Sequence, residues 1–220
     1  MGKRLRNNGL SIALLLLFGL FMAGQTLTGL HEYNEERAEH GQPPAEVAAY
    51  LRTGHFLEAT AENWESEFLQ MAAYILLTAW LFQRGSSESK DPEKREAVDR
   101  DPRHSRRQQA PWPVHRGGWM LRLYENSLSI VFIVLFLGCL ALHAWGGVAT
   151  YNDDLMAHGK APVSLWQYVE SSRFWFESFQ NWQSEFLALA SMVLLSIFLR
   201  QRGSPESKPV DAPHGQTGGG

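Results

Sequence analysis

Four apolar runs stand out along the chain, at Leu10–Leu30, Phe68–Phe82, Leu128–Val148 and Phe186–Leu199, and the charged residues lie almost wholly between them. A helix rises about 1.5 Å per residue and needs roughly 20 residues to cross about 30 Å of hydrocarbon. The first and third runs reach that length without a charge. The second and fourth are shorter and must recruit the preceding residues, from about Asn63 and Asn181. Helices that are apolar all round need a large core or a bilayer to bury them, and the rest of the chain offers no such core. The pattern therefore predicts an all-α membrane protein with four transmembrane helices.

The chain also matches itself. At an offset of 118 positions, Arg4–Lys90 aligns with Arg122–Lys208 without a gap, and about 34 of roughly 87 pairs are identical. The matches reach beyond apolar filler. They include Asn8 with Asn126, Tyr33-Asn34 with Tyr151-Asn152, and His40-Gly41 with His158-Gly159, each followed by a proline at Pro44 or Pro162. Asn-Trp-x-Ser-Glu-Phe-Leu occurs at Asn63–Leu69 and again at Asn181–Leu187, and Gln-Arg-Gly-Ser-x-Glu-Ser-Lys begins at Gln83 and at Gln201. The expected architecture is two tandem repeats of a helix–outer loop–helix unit, the loop carrying a short amphipathic helix. A unit with an even number of crossings inserts both copies the same way, so the repeats are expected to be parallel. The expected organisation is a first two-helix repeat at 1–90, a charged disordered linker at 91–118, a second repeat at 119–208 and a disordered tail at 209–220.

Residues 1–24 read like a secretory signal, with Lys3, Arg4 and Arg6 before a leucine-rich run and small residues at Ala23-Gly24. The matching segment of the second half is internal, so the first run is expected to stay as a span. Basic residues cluster before the first run, in the central linker (Arg84 to Arg122, with Arg103, Arg106 and Arg107 among them) and after the fourth run. The other two loops hold only Arg37 and Arg52, and Lys160 and Arg173. By the positive-inside rule both termini and the linker are expected in the cytoplasm.

The shared motif supplies the candidate site. Glu67 and Glu185 fall about one turn inside the outer boundary, where a carboxylate is costly and usually meets a partner or water. Asn63 and Asn181 precede them by four residues, and Ser66 and Ser184 by one. A symmetric pair of this kind could bind a cation or accept a proton. The alternative is that both glutamates sit in wet headgroups and hydrogen-bond to nearby loops. Trp64, Trp182, Trp166 and Trp175 suit the interface, where a ring with one polar edge is favoured.

Composition removes several other classes. The net charge of −3 leaves no nucleic-acid footprint, and the single cysteine, Cys139, permits no intrachain disulfide. His40 and His158 lack the spaced companions of a metal site and read as turn residues. His143 could ligate haem, but its matching position is Gln25, which argues against a bis-histidine haem. No nucleophile with its base, phosphate loop or zincin motif is present. No cofactor or metal is expected, and no enzymatic activity.

Together the repeated Asn-Trp-x-Ser-Glu-Phe-Leu, the Tyr33–Pro44 loop and the Gln-Arg-Gly-Ser-x-Glu-Ser-Lys endings resemble an uncharacterised bacterial family of integral membrane proteins, described as a domain of unknown function. The resemblance implies a bacterial inner-membrane location and carries no functional residues. The expected partners are the lipid bilayer, a second copy of the chain or another envelope protein. The leading expectation is a structural or interaction protein. The rival is a small channel or transporter using Glu67 and Glu185, and a weaker one is a metal or redox protein using His40, His143 or His158.

Overall fold

Long stretches without proline, rich in leucine, alanine and other helix formers, predict helices that stop only where glycine or proline intervenes. A computed structural model of the chain follows this rule, and it describes residues 3–105 and 107–218. Among these residues there are eight α-helices, two short 3-10 turns and no strand. The helices are α1 (Lys3–Glu39), α2 (Val47–Tyr50), α3 (Gly54–Trp80), α4 (Trp112–Arg116), α5 (Gly118–Glu125), α6 (Ser127–Ala157), α7 (Leu165–Val169) and α8 (Ser172–Phe198). The 3-10 turns, Ala97–Asp99 and Pro102–His104, lie in the segment between α3 and α4. Arg106, one of the linker's basic residues, lies outside the described residues, as do the side chains of Lys3 and Arg4.

Two helices, not four, are both long and apolar enough to cross a membrane: α1 from Arg6 to Glu39, and α6. Among the described residues the expectation of four transmembrane helices is met by length and apolarity at α1 and α6 only, not at α3 and α8. Each has 27 residues, about 40 Å of helix, which is ample length. Their first halves are polar, however. Glu58, Glu62, Glu65 and Glu67 fall within the first 14 residues of α3, and Arg173, Glu177 and Glu185 in the same stretch of α8. By contrast α1 turns Leu10, Leu14–Leu17, Leu20 and Phe21 outward, and none of its most apolar stretch is buried. A core helix of a water-soluble protein would hide those side chains.

The chain divides into two compact units, Met1–Ala61 with Ala141–Phe174, and Glu62–Leu140 with Trp175–Gly220. In the first unit, two loops have the same construction. Gly41 and Gly159 both take φ +68°, the left-handed conformation that ends a helix without steric cost. His40 Nδ1 lies 2.8 Å from the Glu36 carbonyl, and His158 Nδ1 lies 2.9 Å from that of Asp154. Each imidazole thus adds to a last-turn carbonyl that the backbone amide of the same histidine also reaches, at 3.3 and 3.2 Å.

An asparagine then fastens each loop back to its helix. Asn34 accepts from the Ala45 amide at 2.7 Å and donates to the Ala45 carbonyl at 3.1 Å. Asn152 makes the same pair of bonds to Val163, at 2.7 and 2.9 Å. Beyond each loop a tyrosine closes over a glycine: Tyr50 over Gly29, and Tyr168 over Gly147. Both rings are almost fully buried, and a Cβ on either glycine would collide with the tyrosine hydroxyl.

The second unit is joined through side chains at both ends of α8. Near its start, Trp175, Phe179 and Trp182 pack edge to face, with ring centroids 5.5 to 6.3 Å apart, and Phe136 meets Trp182 at 5.9 Å. Beyond its end, the buried Lys208 ammonium donates to the carbonyls of Gly85, Pro213, His214 and Gln216. Ser86 and Ser196 share a 2.8 Å hydrogen bond nearby.

Candidate functional site

In the second unit, the repeated motif holds its polar groups in two different environments. Ser66 and Ser184 return their hydroxyls to the carbonyls of Asn63 and Asn181, at 2.7 and 2.8 Å, as serine does within a helix. Asn181 in turn donates to the Glu177 carbonyl. Glu67 is exposed and Glu185 half-buried, each within electrostatic reach of the other. The Gln70 amide donates to the backbone of Glu185 at 2.9 Å, not to its carboxylate.

The buried carboxylate is Glu65, the variable position of the motif, where the second half has Gln183. It accepts from the indole N–H of Trp182 at 3.2 Å, so Trp182 spends its polar edge inside the protein. Trp64, Trp166 and Trp175 are exposed, Trp166 most of all.

In the first unit, two polar features stand out. One is a cleft of about 860 Å³ lined by Tyr33, Glu36, Arg37, Glu39, His40, His55, Asp153, Asp154 and Arg173, among others. Its walls carry four carboxylates against two guanidiniums. Both guanidiniums are already engaged, Arg37 over the Tyr33 ring at 5.7 Å and Arg173 over the Tyr151 ring at 5.1 Å. At one edge, Tyr50 Oη lies 3.1 Å from His55 Nδ1. Burial, and secondarily the Glu32 charge, pushes the Tyr50 hydroxyl above the usual phenol range.

The other feature is a buried cluster. Glu58, His143 and Tyr168 are all buried, the last two completely. A carboxylate oxygen of Glu58 and a ring nitrogen of His143 lie within 4.8 Å of each other. Tyr168 Oη sits 3.4 Å from Glu58 Oε1, and the Phe174 ring covers His143 at 4.9 Å. Small residues let the backbones approach here. A Cβ on Gly146 would lie 2.6 Å from the Glu58 nitrogen and 2.9 Å from the Gly54 carbonyl.

Sequence reasoning singled out residues the halves share and so passed over Glu58 and Glu65. The available signal was an ionisable residue in one half facing an apolar or neutral partner in the other: Glu58 against Phe176, Glu65 against Gln183, and His143 against Gln25.

Comparison with curated proteins and with solved structures finds no match. The match that exists is to a family model covering residues 1–219, nearly the whole chain. By that match the chain belongs to the family described as a domain of unknown function, DUF6766.

Proposed function

We propose that the chain is a multi-pass protein of a bacterial inner membrane, and that it acts as a non-enzymatic interaction protein of the envelope. In this reading α1, α3, α6 and α8 all cross the bilayer, as two parallel copies of one duplicated unit. The termini and the linker face the cytoplasm. The charged first halves of α3 and α8 sit toward the outer boundary, where charged side chains reach water, which reconciles their polarity with a crossing. The lipid bilayer covers the outward leucines of α1 and α6.

The observation that carries the reading is the acid-rich cleft of about 860 Å³, framed by loops that Asn34 and Asn152 hold rigid. A preformed polar surface binds at a lower ordering cost than a mobile one. The partner that fits it is a protein segment carrying basic side chains, from another envelope protein or a second copy. Such charge complementarity chiefly sets partner choice and association rate.

A photoreactive residue in place of Gln42, which lines the cleft, should give one discrete adduct in intact membranes. Asp153→Lys with Asp154→Lys should abolish it. Reporter fusions at Gly41 and Ser105 should read opposite sides of the membrane. Absence of an adduct, or an adduct indifferent to the charge reversal, overturns the interaction reading. Fusions on the same side overturn the topology.

A further inference from the structure

The chain changes character shortly before α6. From Pro102 to Tyr124 it carries five arginines and no carboxylate, although the whole chain has a net charge of −3. Trp112 and Trp119 lie in the same stretch, 60% and 72% exposed. We infer that α4 and α5, with Arg103 beside them, form a docking surface for anionic phospholipid. The guanidiniums take headgroup phosphates, and the two indoles enter the bilayer interface.

Local sequence builds this surface. Pro113 fits the first turn of α4. Gly117 and Gly118, at φ +67° and +61°, turn the chain into α5 through a conformation that other residues resist. The two short helices pack on one another. Leu121 is buried, whereas Trp119, Arg122 and Leu123 are exposed and share one face of α5 by their spacing of three and four. Arg116 lies over the Trp112 ring, 5.8 Å from its centroid, so a guanidinium and an indole are already held together. A cavity of about 490 Å³ is lined by Arg103, His115, Trp119 and Arg122, with no acidic side chain in its walls. Asp101 reaches Arg103 only at 4.0 Å, with both side chains well exposed, and such a pair contributes little.

The chemistry and the position select the occupant. Arginine presents a planar fork of donors that fits two phosphate oxygens at once, and the stretch contains no lysine. Indole favours the interface, where its ring meets hydrocarbon and its N–H meets headgroups. Only Asn126 separates α5 from α6, and the outward Leu123, Leu128, Val131 and Val134 carry the apolar surface from one helix to the next. RNA would also attract arginine and indole. A surface continuous with an apolar span is instead held at the headgroup layer, where phospholipid phosphate is the abundant anion. In this the inference rests on the reading that α6 crosses the bilayer with the linker on its cytoplasmic side.

The test uses the full-length chain in phosphatidylcholine liposomes with a trace of photoreactive phosphatidylglycerol or photoreactive phosphatidylcholine. Mass spectrometry of the adducts should find phosphatidylglycerol on residues 112–123 at least about fivefold more often than phosphatidylcholine, about the gain from one basic side chain at an anionic surface. Arg103→Gln with Arg116→Gln and Arg122→Gln should bring that ratio to about one. Removing three exposed basic charges elsewhere, by Arg84→Gln, Lys94→Gln and Arg202→Gln, should leave it unchanged. Should the first variant unfold, salt gives the second reading: in about 1 M salt the wild-type preference should fall steeply.

Equal adducts from the two lipids in wild-type protein overturn the inference. So does a preference that survives the three arginine substitutions or high salt, or one lost equally in the control variant. Single-stranded RNA that suppresses the phosphatidylglycerol adduct at matched phosphate concentration overturns lipid as the occupant. The fusions at Gly41 and Ser105 should read alike in wild type and variant, which separates a failure of topology from a failure of lipid binding. The Gln42 adduct should survive the arginine substitutions, so the interaction reading stands or falls apart from this one.

Discussion

At the scale of single residues, the packing rests on a few places where a side chain would not fit. Gly147 lies under the Tyr168 hydroxyl, and Gly29 under that of Tyr50. Gly138, nine residues before Gly147 on α6, has open space where its Cβ would point. Gly147→Ala should therefore overpack and destabilise by about 1–3 kcal/mol. Gly138→Ala should be neutral or gain up to about 1 kcal/mol from helix propensity. Thermal unfolding in detergent separates the two, and equal shifts would show that the tyrosine does not close on the glycine. This glycine–tyrosine pairing was half legible in the sequence. The identities at Gly29 and Gly147, and at Tyr50 and Tyr168, are visible at the offset of 118, but residues 21 positions apart give no sign that they touch. The polar core was less legible still, because Glu58, Glu65 and His143 are among the many residues at which the halves differ, and self-comparison favours what is shared.

At the scale of elements, helix positions followed directly from apolar runs and from the glycine and proline that end them. The polar halves of α3 and α8 did not read so clearly. Runs defined by hydropathy begin at Phe68 and Phe186, yet the helices begin at Gly54 and Ser172, because a helix needs only backbone hydrogen bonds and no charge forbids it. Between α3 and α4 the chain is held by polar contacts instead. Lys90 pairs with Asp99 at 2.7 Å, and Asp91 accepts from the Glu93 amide at 2.9 Å. The Lys90 hydrogen bond holds the Asp99 carboxyl below its usual range, and the Glu93 amide does so for Asp91. A depressed carboxylate stabilises above its unfolded pKa of about 3.9 and loses that contribution as pH falls through the lower folded value. The segment should therefore resist an acid-active protease at pH 5 and be cut once the pH drops well below about 4. Lys90→Met should expose it already at pH 5. Unchanged cleavage across that range would mean these pairs do not hold the segment.

At the scale of the whole molecule, the long apolar runs made the all-helical class readable from the sequence, and membership of DUF6766 agrees with the motifs that suggested an uncharacterised family. Which residues face one another within each unit could not be read, since pairings across a hundred positions depend on packing that no local pattern encodes. The Lys208 clasp is the clearest case. In the sequence it is one more lysine before a polar, proline- and glycine-containing tail. In the structure its ammonium gathers four backbone carbonyls and is sealed from solvent. An amine engaged in this way is shielded from acylating reagents, while Lys94 and Lys160 stand open. Under brief treatment with an N-hydroxysuccinimide ester, mass spectrometry should find Lys208 the slowest to be labelled. Cutting the tail away before Pro213 should bring its labelling up to the rate of the other lysines, which makes one side chain a chemical gauge of whether the end of the chain is in place.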